Sequence, residues 1–186
     1  MIVDDHSVYR EGLAQSLRES GIEVVDTEPN AELALTAVEE TAPDVVILDL
    51  RLPGISSQEA TRRMKESARV LVLSAAADHD EVAALIAAGA AGYLPKDRPV
   101  EEIISWVRAV AEGEMVISPR IAKALLSQLD EQGGEGSMPD LTTDELEVLG
   151  LFADGQRIEE VAETLGIHAS TVCTITASIL MKLQRF

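Results

Sequence analysis

What the chain has least of narrows its chemistry first. A single cysteine, Cys173, excludes an internal disulfide, and three scattered histidines (His6, His79 and His168) lack the spacing of a zinc site. Basic residues are scarce. Fifteen Lys+Arg face 33 Asp+Glu in 186 residues, a formal net charge of −18, the opposite of the surface that phosphate backbones attract. No apolar run approaches the roughly 18 residues of a membrane span, and the N-terminus carries no basic-then-apolar signal. A soluble cytoplasmic protein without membrane contact is therefore expected.

The charge divides unevenly. Residues 1–112 are net −11, residues 113–140 net −3 and residues 141–186 net −4. The stretch from Asp130 to Pro139 joins glycines, charge and a proline with no apolar period, the composition of a flexible linker. This predicts a first domain over 1–112, a linker over 113–140 with one helix at about 118–129, and a second domain over 141–186. Ser118 and Pro119 supply that linker helix with a cap and a favourable first residue.

In the first domain, short apolar runs alternate with segments of helical period. Met1–Val3, Ile22–Val25, Val45–Leu48, Val70–Leu73 and Gly92–Leu94 are predicted strands, the third and fourth apolar at consecutive positions like strands buried on both faces. Between and after them run helical stripes: Leu33, Ala37 and Thr41; Val82, Leu85, Ile86 and Gly89; Ile103, Ile104, Val107, Val110 and Ala111. The predicted class is α/β, a doubly wound parallel five-stranded sheet, and ligands of such folds sit beyond the carboxyl ends of the strands.

Those ends carry costly residues. Asp4 and Asp5 follow the first strand, Asp49 the third, Ser74 the fourth and Pro95-Lys96 the fifth. Three carboxylates on one rim repel one another unless a cation sits among them, and hard oxygen ligands suit Mg²⁺. A carboxylate attacks a phosphoryl group only when both charges are neutralised, which Mg²⁺, a lysine and a hydroxyl achieve together. Asp49, at the centre of the sheet, is the natural nucleophile.

Val3–Leu13, Pro43–Gly54, Val72–Ser74 and Ala88–Asp97 together resemble the receiver domain of bacterial two-component response regulators, specifically the NarL/FixJ-like branch. The resemblance implies that Asp49 is the phosphoacceptor. It also implies that Asp5, Asp49 and the Arg51 backbone carbonyl ligate Mg²⁺, with Asp4 acting through water. Ser74 and Lys96 would bind the phosphoryl oxygens and Tyr93 would be the aromatic switch. A sensor histidine kinase or small phosphodonor would be the phosphoryl source. Relatives carry more residues before the paired aspartates, so a short first strand is expected. Phosphatases of the haloacid-dehalogenase type share this chemistry but place an acid two residues after the nucleophile. That position here is Arg51, which points to a phosphoacceptor and not a turnover enzyme.

The second domain is small and helical. Apolar stripes at Leu146, Leu149 and Phe152, at Ile158, Val161, Ala162 and Leu165, and at Val172, Ile175, Ile179 and Leu183 mark three short helices. Leu141–Leu149, Ala153–Gly155, Glu160–Ala162 and Leu165–Ile167, with Thr171-Val172, Ile179-Leu180 and Lys182-Leu183, resemble the LuxR-type helix-turn-helix. That resemblance makes Ser170–Leu183 the recognition helix in the major groove of promoter DNA and implies a homodimer, formed on phosphorylation. Its outward face is expected to be Cys173, Thr174, Ala177, Ser178 and Met181, none charged. Thr171 and Thr174 are placed for phosphates and Ala177 for a thymine methyl. Lys182 is one of three cations in the domain, with Arg157 and Arg185. Relatives continue into another helix, which this domain is expected to lack. Two readings follow: a phosphorylation-controlled transcription regulator, favoured by the architecture, or a receiver acting through protein contact with a DNA-incompetent helix-turn-helix, favoured by the uncharged face.

Overall fold

A computed structural model describes residues 1–75, 79–113, 119, 122–123, 126 and 141–183; within these, nothing is said of the side chains of 79, 80, 83, 159, 177, 180, 181 and 183. The first domain runs β1 (Ile2–Val3), α1 (Ser7–Glu19), β2 (Thr27–Glu28), α2 (Ala31–Thr41), β3 (Val45–Asp49), α3 (Ser57–Met64), β4 (Arg69–Ser74), α4 (His79–Ala88), β5 (Gly92–Pro95) and α5 (Val100–Ala111). Its five strands pair in parallel in the order β2-β1-β3-β4-β5, so the chain reverses its direction of winding beside β1 and β3. The switch point of such a sheet opens a crevice at the strand ends.

Alternation along the buried strands feeds two cores. Ile47, Leu71, Leu73 and Leu94 face α1 and α5 through Leu13, Leu17, Ile103 and Val107. Val46, Leu48, Val70, Val72 and Tyr93 face the other side, with Val38, Met64, Leu85 and Ile86. Burial on both faces is what the consecutive apolar runs of β3 and β4 require. Local signals start the helices that follow: Asn30 Oδ1 accepts from Leu33 N at 2.9 Å, and Ser56 Oγ from Glu59 N at 3.2 Å.

Some details of the first domain differ from the sequence expectation. Ile22–Val25 is not a strand. The ladder to β1 begins at Ile2↔Thr27, leaving Ile22 and Val24 as apolar packing, while Glu23–Val25 line a cavity of about 340 Å³ at the end of the sheet away from Asp49. A β-rich composition without a ladder partner buries side chains without forming a strand. In α2 the buried stripe is Ala31, Ala34, Ala37 and Val38, and Leu33 is 50% exposed. The covered face is thus shifted by about one position from the expected stripe, onto the small alanines.

The second domain comprises α6 (Thr143–Ala153), α7 (Ile158–Leu165) and α8 (Ala169–Leu183). A capping box starts α6: Glu145 N donates to Thr142 Oγ1 at 3.3 Å and Thr142 N to Glu145 Oε2 at 2.6 Å. Gly166 ends α7 in the left-handed region at φ 65°. Val148, Leu149, Phe152, Val161, Val172 and Ile179 form the core. Leu146, expected inside, is exposed, since the buried stripe of α6 is set by Glu145, Val148, Leu149 and Phe152. Helix α8 packs against α4 of the first domain. The linker and most of the helix expected at 118–129 lie outside the described residues, and the four positions of that helix that are described are helical. Among the described residues no helix is long and apolar enough to cross a membrane.

Candidate functional site

The sheet brings the sequence-distant acids and the lysine to one rim. Asp4 follows β1, Asp49 closes β3, and Lys96 follows β5, whose Pro95 pairs with Ser74. Lys96 Nζ lies 2.6 Å from Asp4 Oδ2 and 2.8 Å from Asp49 Oδ2. Asp4 and Asp49 are 2% and 3% exposed. The bridging ammonium, with the backbone N–H groups of His6 and Arg51 on the other carboxylate oxygens, offsets the burial of the two carboxylates. The ammonium also sits 4.8 Å above the Tyr9 ring. Burial, together with the charges of Asp4 and Asp49, pushes the Tyr9 phenol up to about 12.

The mouth of the pocket is wetter. Asp5 is exposed, and its Oδ1 is 2.7 Å from His6 Nδ1. Carboxylate oxygens of Asp4, Asp5 and Asp49 and a ring nitrogen of His6 lie within 4.8 Å of one another. Asp49 Oδ1 accepts from Arg51 N at 3.3 Å, and the Arg51 guanidinium reaches Glu81 of α4 at 2.7 Å. Ser74 and Tyr93 are fully buried on β4 and β5.

The fold therefore gathers Asp4, Asp5, Asp49, Lys96 and the Arg51 backbone, with Ser74 and Tyr93 on the adjoining strands. Sequence reasoning missed four supporting residues. His6 adjoins the acidic pair in the chain, a signal that was available. Arg10, which donates to the Asp4 carbonyl, and Ser57, whose Oγ donates to the Asp49 and Leu50 carbonyls at 3.0 and 2.7 Å, had none beyond their helical positions. Nor had Glu32, whose Oε1 accepts from Ile55 N at 2.8 Å and steadies the turn after β3.

On α8, expected to be the recognition helix, Thr171 and Thr174 are exposed and Cys173 is half-buried. Ala177 and Met181 are among those whose side chains are not described. Ser178 corrects the expected outward face. It is half-buried and donates to Glu145 Oε1 at 2.7 Å. Lys182 Nζ donates to Glu145 Oε2, also at 2.7 Å. Burial would raise the Glu145 carboxyl, but Lys182, Ser178 and the Thr142 N–H hold it at about 2.

A family model of the response regulator receiver domain matches residues 1–108, and one of the LuxR family of bacterial regulatory proteins matches residues 139–185. The chain is 35% identical over 190 residues to the transcriptional regulatory protein LiaR of Bacillus subtilis (strain 168), covering 99% of this chain and 90% of that protein. It is 32% identical over 189 residues to the response regulator UvrY of Escherichia coli (strain K12), covering 99% and 87%. Among solved structures, a LuxR-family two-component response regulator from Aurantimonas sp. SI85-9A1 superposes with a TM-score of 0.63 at 33% identity, covering 69% of this chain and 94% of that one. The response regulator ChrA of a heme-sensing two-component system does so with a TM-score of 0.57 at 29% identity, covering 98% and 88%. The RcsB–DNA complex shares the fold at 23% identity, with a TM-score of 0.61 over 98% of this chain and 90% of that one.

Proposed function

Because the chain belongs to the response regulators that join a receiver domain to a LuxR-type DNA-binding domain, and so acts in transcription control, we propose that Asp49 is its phosphoacceptor. The observation that carries this is the bridging of buried Asp4 and Asp49 by Lys96 at 2.6 and 2.8 Å. An ammonium held there is ready to receive the charge of an incoming phosphoryl group. The Asp49 carboxylate forms the new O–P bond, and the bond to the phosphodonor breaks with its electron pair leaving on the donor. The donor is a sensor histidine kinase or a small acyl phosphate.

Receiver domains generally bind Mg²⁺ at an acidic pocket, and the hard carboxylate oxygens here fit that ion. Asp5, Asp49 and the Arg51 carbonyl would hold it, with Asp4 acting through water. When bound it supplies further neutralisation of phosphoryl charge. Lys96 and the Ser74 hydroxyl take the phosphoryl oxygens, and Tyr93, buried one strand away, repacks as Ser74 is drawn in. The residue two positions beyond Asp49, Arg51, is paired with Glu81 and is no leaving-group acid, so the protein accepts a phosphoryl group without turnover.

The packing of α8 on α4 supports coupling between the two domains. Phosphorylation, by altering α4, frees α8 to enter the major groove as part of a homodimer, with Thr171 and Thr174 on phosphates and Cys173, Ala177 and Lys182 on or beside the groove. The protein works in the cytoplasm, where kinase and promoter meet. Incubation with acetyl phosphate and Mg²⁺ tests the central step. One phosphoryl group is expected by intact mass, absent in Asp49→Asn; equal labelling of that variant would overturn the assignment.

A further inference from the structure

Lys96 is held by three groups, and the phosphoryl chemistry draws on two of them. Its ammonium lies 2.6 Å from Asp4 Oδ2, 2.8 Å from Asp49 Oδ2 and 4.8 Å from the centre of the Tyr9 ring. Tyr9 comes from the first turn of α1 and Lys96 directly follows β5, so ring and ammonium meet across the strand ends. The ring packs partly buried against the core between α1 and α5, whereas the Tyr9 hydroxyl is buried with no hydrogen-bond partner among the described residues. Burial and the charges of Asp4 and Asp49 push that phenol up to about 12, so the ring stays neutral. What Tyr9 offers the pocket is its face.

We propose that Tyr9 is a positioning residue for phosphoryl transfer, which holds the Lys96 ammonium by a cation–π contact while the ammonium passes from the Asp49 carboxylate to the incoming phosphoryl oxygens. The inference rests on the reading of Asp49 as the phosphoacceptor. When an Asp49 oxygen bonds to phosphorus the carboxylate loses its charge, and Lys96 has to release it. A hydrogen bond to a carboxylate oxygen fixes the ammonium by distance and angle, but attraction to a ring face varies slowly across that face and imposes no donor direction. The flexible lysine stem lets the ammonium shift towards the phosphoryl group without losing the ring. With an aliphatic side chain at position 9, Asp4 would be the anchor that remains, and it would draw the ammonium away from the donor.

The test is the rate of Asp49 phosphorylation in the full chain by acetyl phosphate with Mg²⁺, followed by intact mass in the parent, Tyr9→Phe, Tyr9→Leu and Asp49→Asn, and in chains carrying mono-, di- and trifluorinated phenylalanine at position 9. Circular dichroism verifies folding of each. Fluorine withdraws charge from the ring face with little change in ring size, so the fluorinated series separates the cation–π contact from packing. Tyr9→Phe should keep the parent rate within about twofold, because the lost hydroxyl has no partner. Tyr9→Leu should lower the rate by about tenfold, and the fluorinated series should fall stepwise between Tyr9→Phe and Tyr9→Leu. The midpoint of urea unfolding should fall along the same series with Lys96 present and not in Lys96→Met, a readout that needs no phosphoryl transfer. A rate that is level or rises along the series, a loss in Tyr9→Phe as large as in Tyr9→Leu, or a midpoint that falls equally in Lys96→Met overturns the proposal while leaving Asp49 as the acceptor. Labelling of Asp49→Asn equal to that of the parent overturns the acceptor assignment, and the proposal with it.

Discussion

Lys182, the penultimate residue of α8, places its ammonium 2.7 Å from Glu145 Oε2 at the start of α6. A cation that the sequence offers to DNA is thus engaged inside the domain. Glu145, 4% exposed, also caps α6 and accepts from Ser178, so one carboxylate ties both ends of the helical domain together.

This network makes a prediction about pH. The Glu145 carboxyl stands at about 2 in the folded protein against an ordinary 4.5, so its contribution is fully present above pH 4.5 and is lost as pH falls towards 2. The shift corresponds to about 3 kcal/mol. Glu145→Gln should destabilise the second domain by about 2–3 kcal/mol at pH 7 in urea unfolding, with the gap from the parent closing below pH 4. A constant gap across that range would contradict the assignment. Lys182→Met and Glu145→Gln should be strongly non-additive.

Lys96→Met leaves Asp4 and Asp49 buried together without their bridging cation. Stability at neutral pH should fall by about 3 kcal/mol, and millimolar Mg²⁺ should restore most of it. Unfolding in urea with and without Mg²⁺ measures both. A variant as stable as the parent in the absence of Mg²⁺ would show that the ammonium does not offset the carboxylate pair.

Gly54 sits in the left-handed region at φ 91°, and a Cβ there would collide with the Glu32 carboxylate that accepts from Ile55 N. Gly54→Ala should cost about 1–2 kcal/mol. Glu32→Ala should remove the collision but also the Ile55 bond, so the double variant should be more stable than the sum of the two losses implies. Thermal unfolding of the four proteins is sufficient to measure this.

DNA binding should depend weakly on salt. Among the described residues of the second domain the cations are Arg157, which pairs with Glu160 at 3.5 Å, and Lys182. With Lys182 held by Glu145, one phosphate contact, by Arg157, would give a slope of log K against log [salt] of about −1 per protomer, measured by fluorescence anisotropy on a promoter duplex with phosphorylated protein. Lys182→Ala should weaken binding through loss of helix position while changing the slope by less than about one unit. A loss of a full unit would make Lys182 a direct phosphate contact.

The sequence by itself determined the alternating architecture, because strands buried on both faces have to be apolar at consecutive residues, and it determined the acids and lysine of the pocket, because only strand ends could carry such charge at a cost a ligand repays. It also placed the helix-turn-helix through its apolar period. Tertiary structure decided what no local pattern encodes. Ile22–Val25 has strand composition but no ladder partner, so pairing moved to Thr27–Glu28. Leu33 and Leu146 were left outside, since which apolar face of a short helix is covered depends on what it packs against. The orientations of His6 towards Asp5 and of Lys182 towards Glu145 belong to the same class. Long polar side chains choose partners by proximity across the fold, and in a chain with 33 acids for 15 cations only the folded geometry selects which carboxylate each one meets.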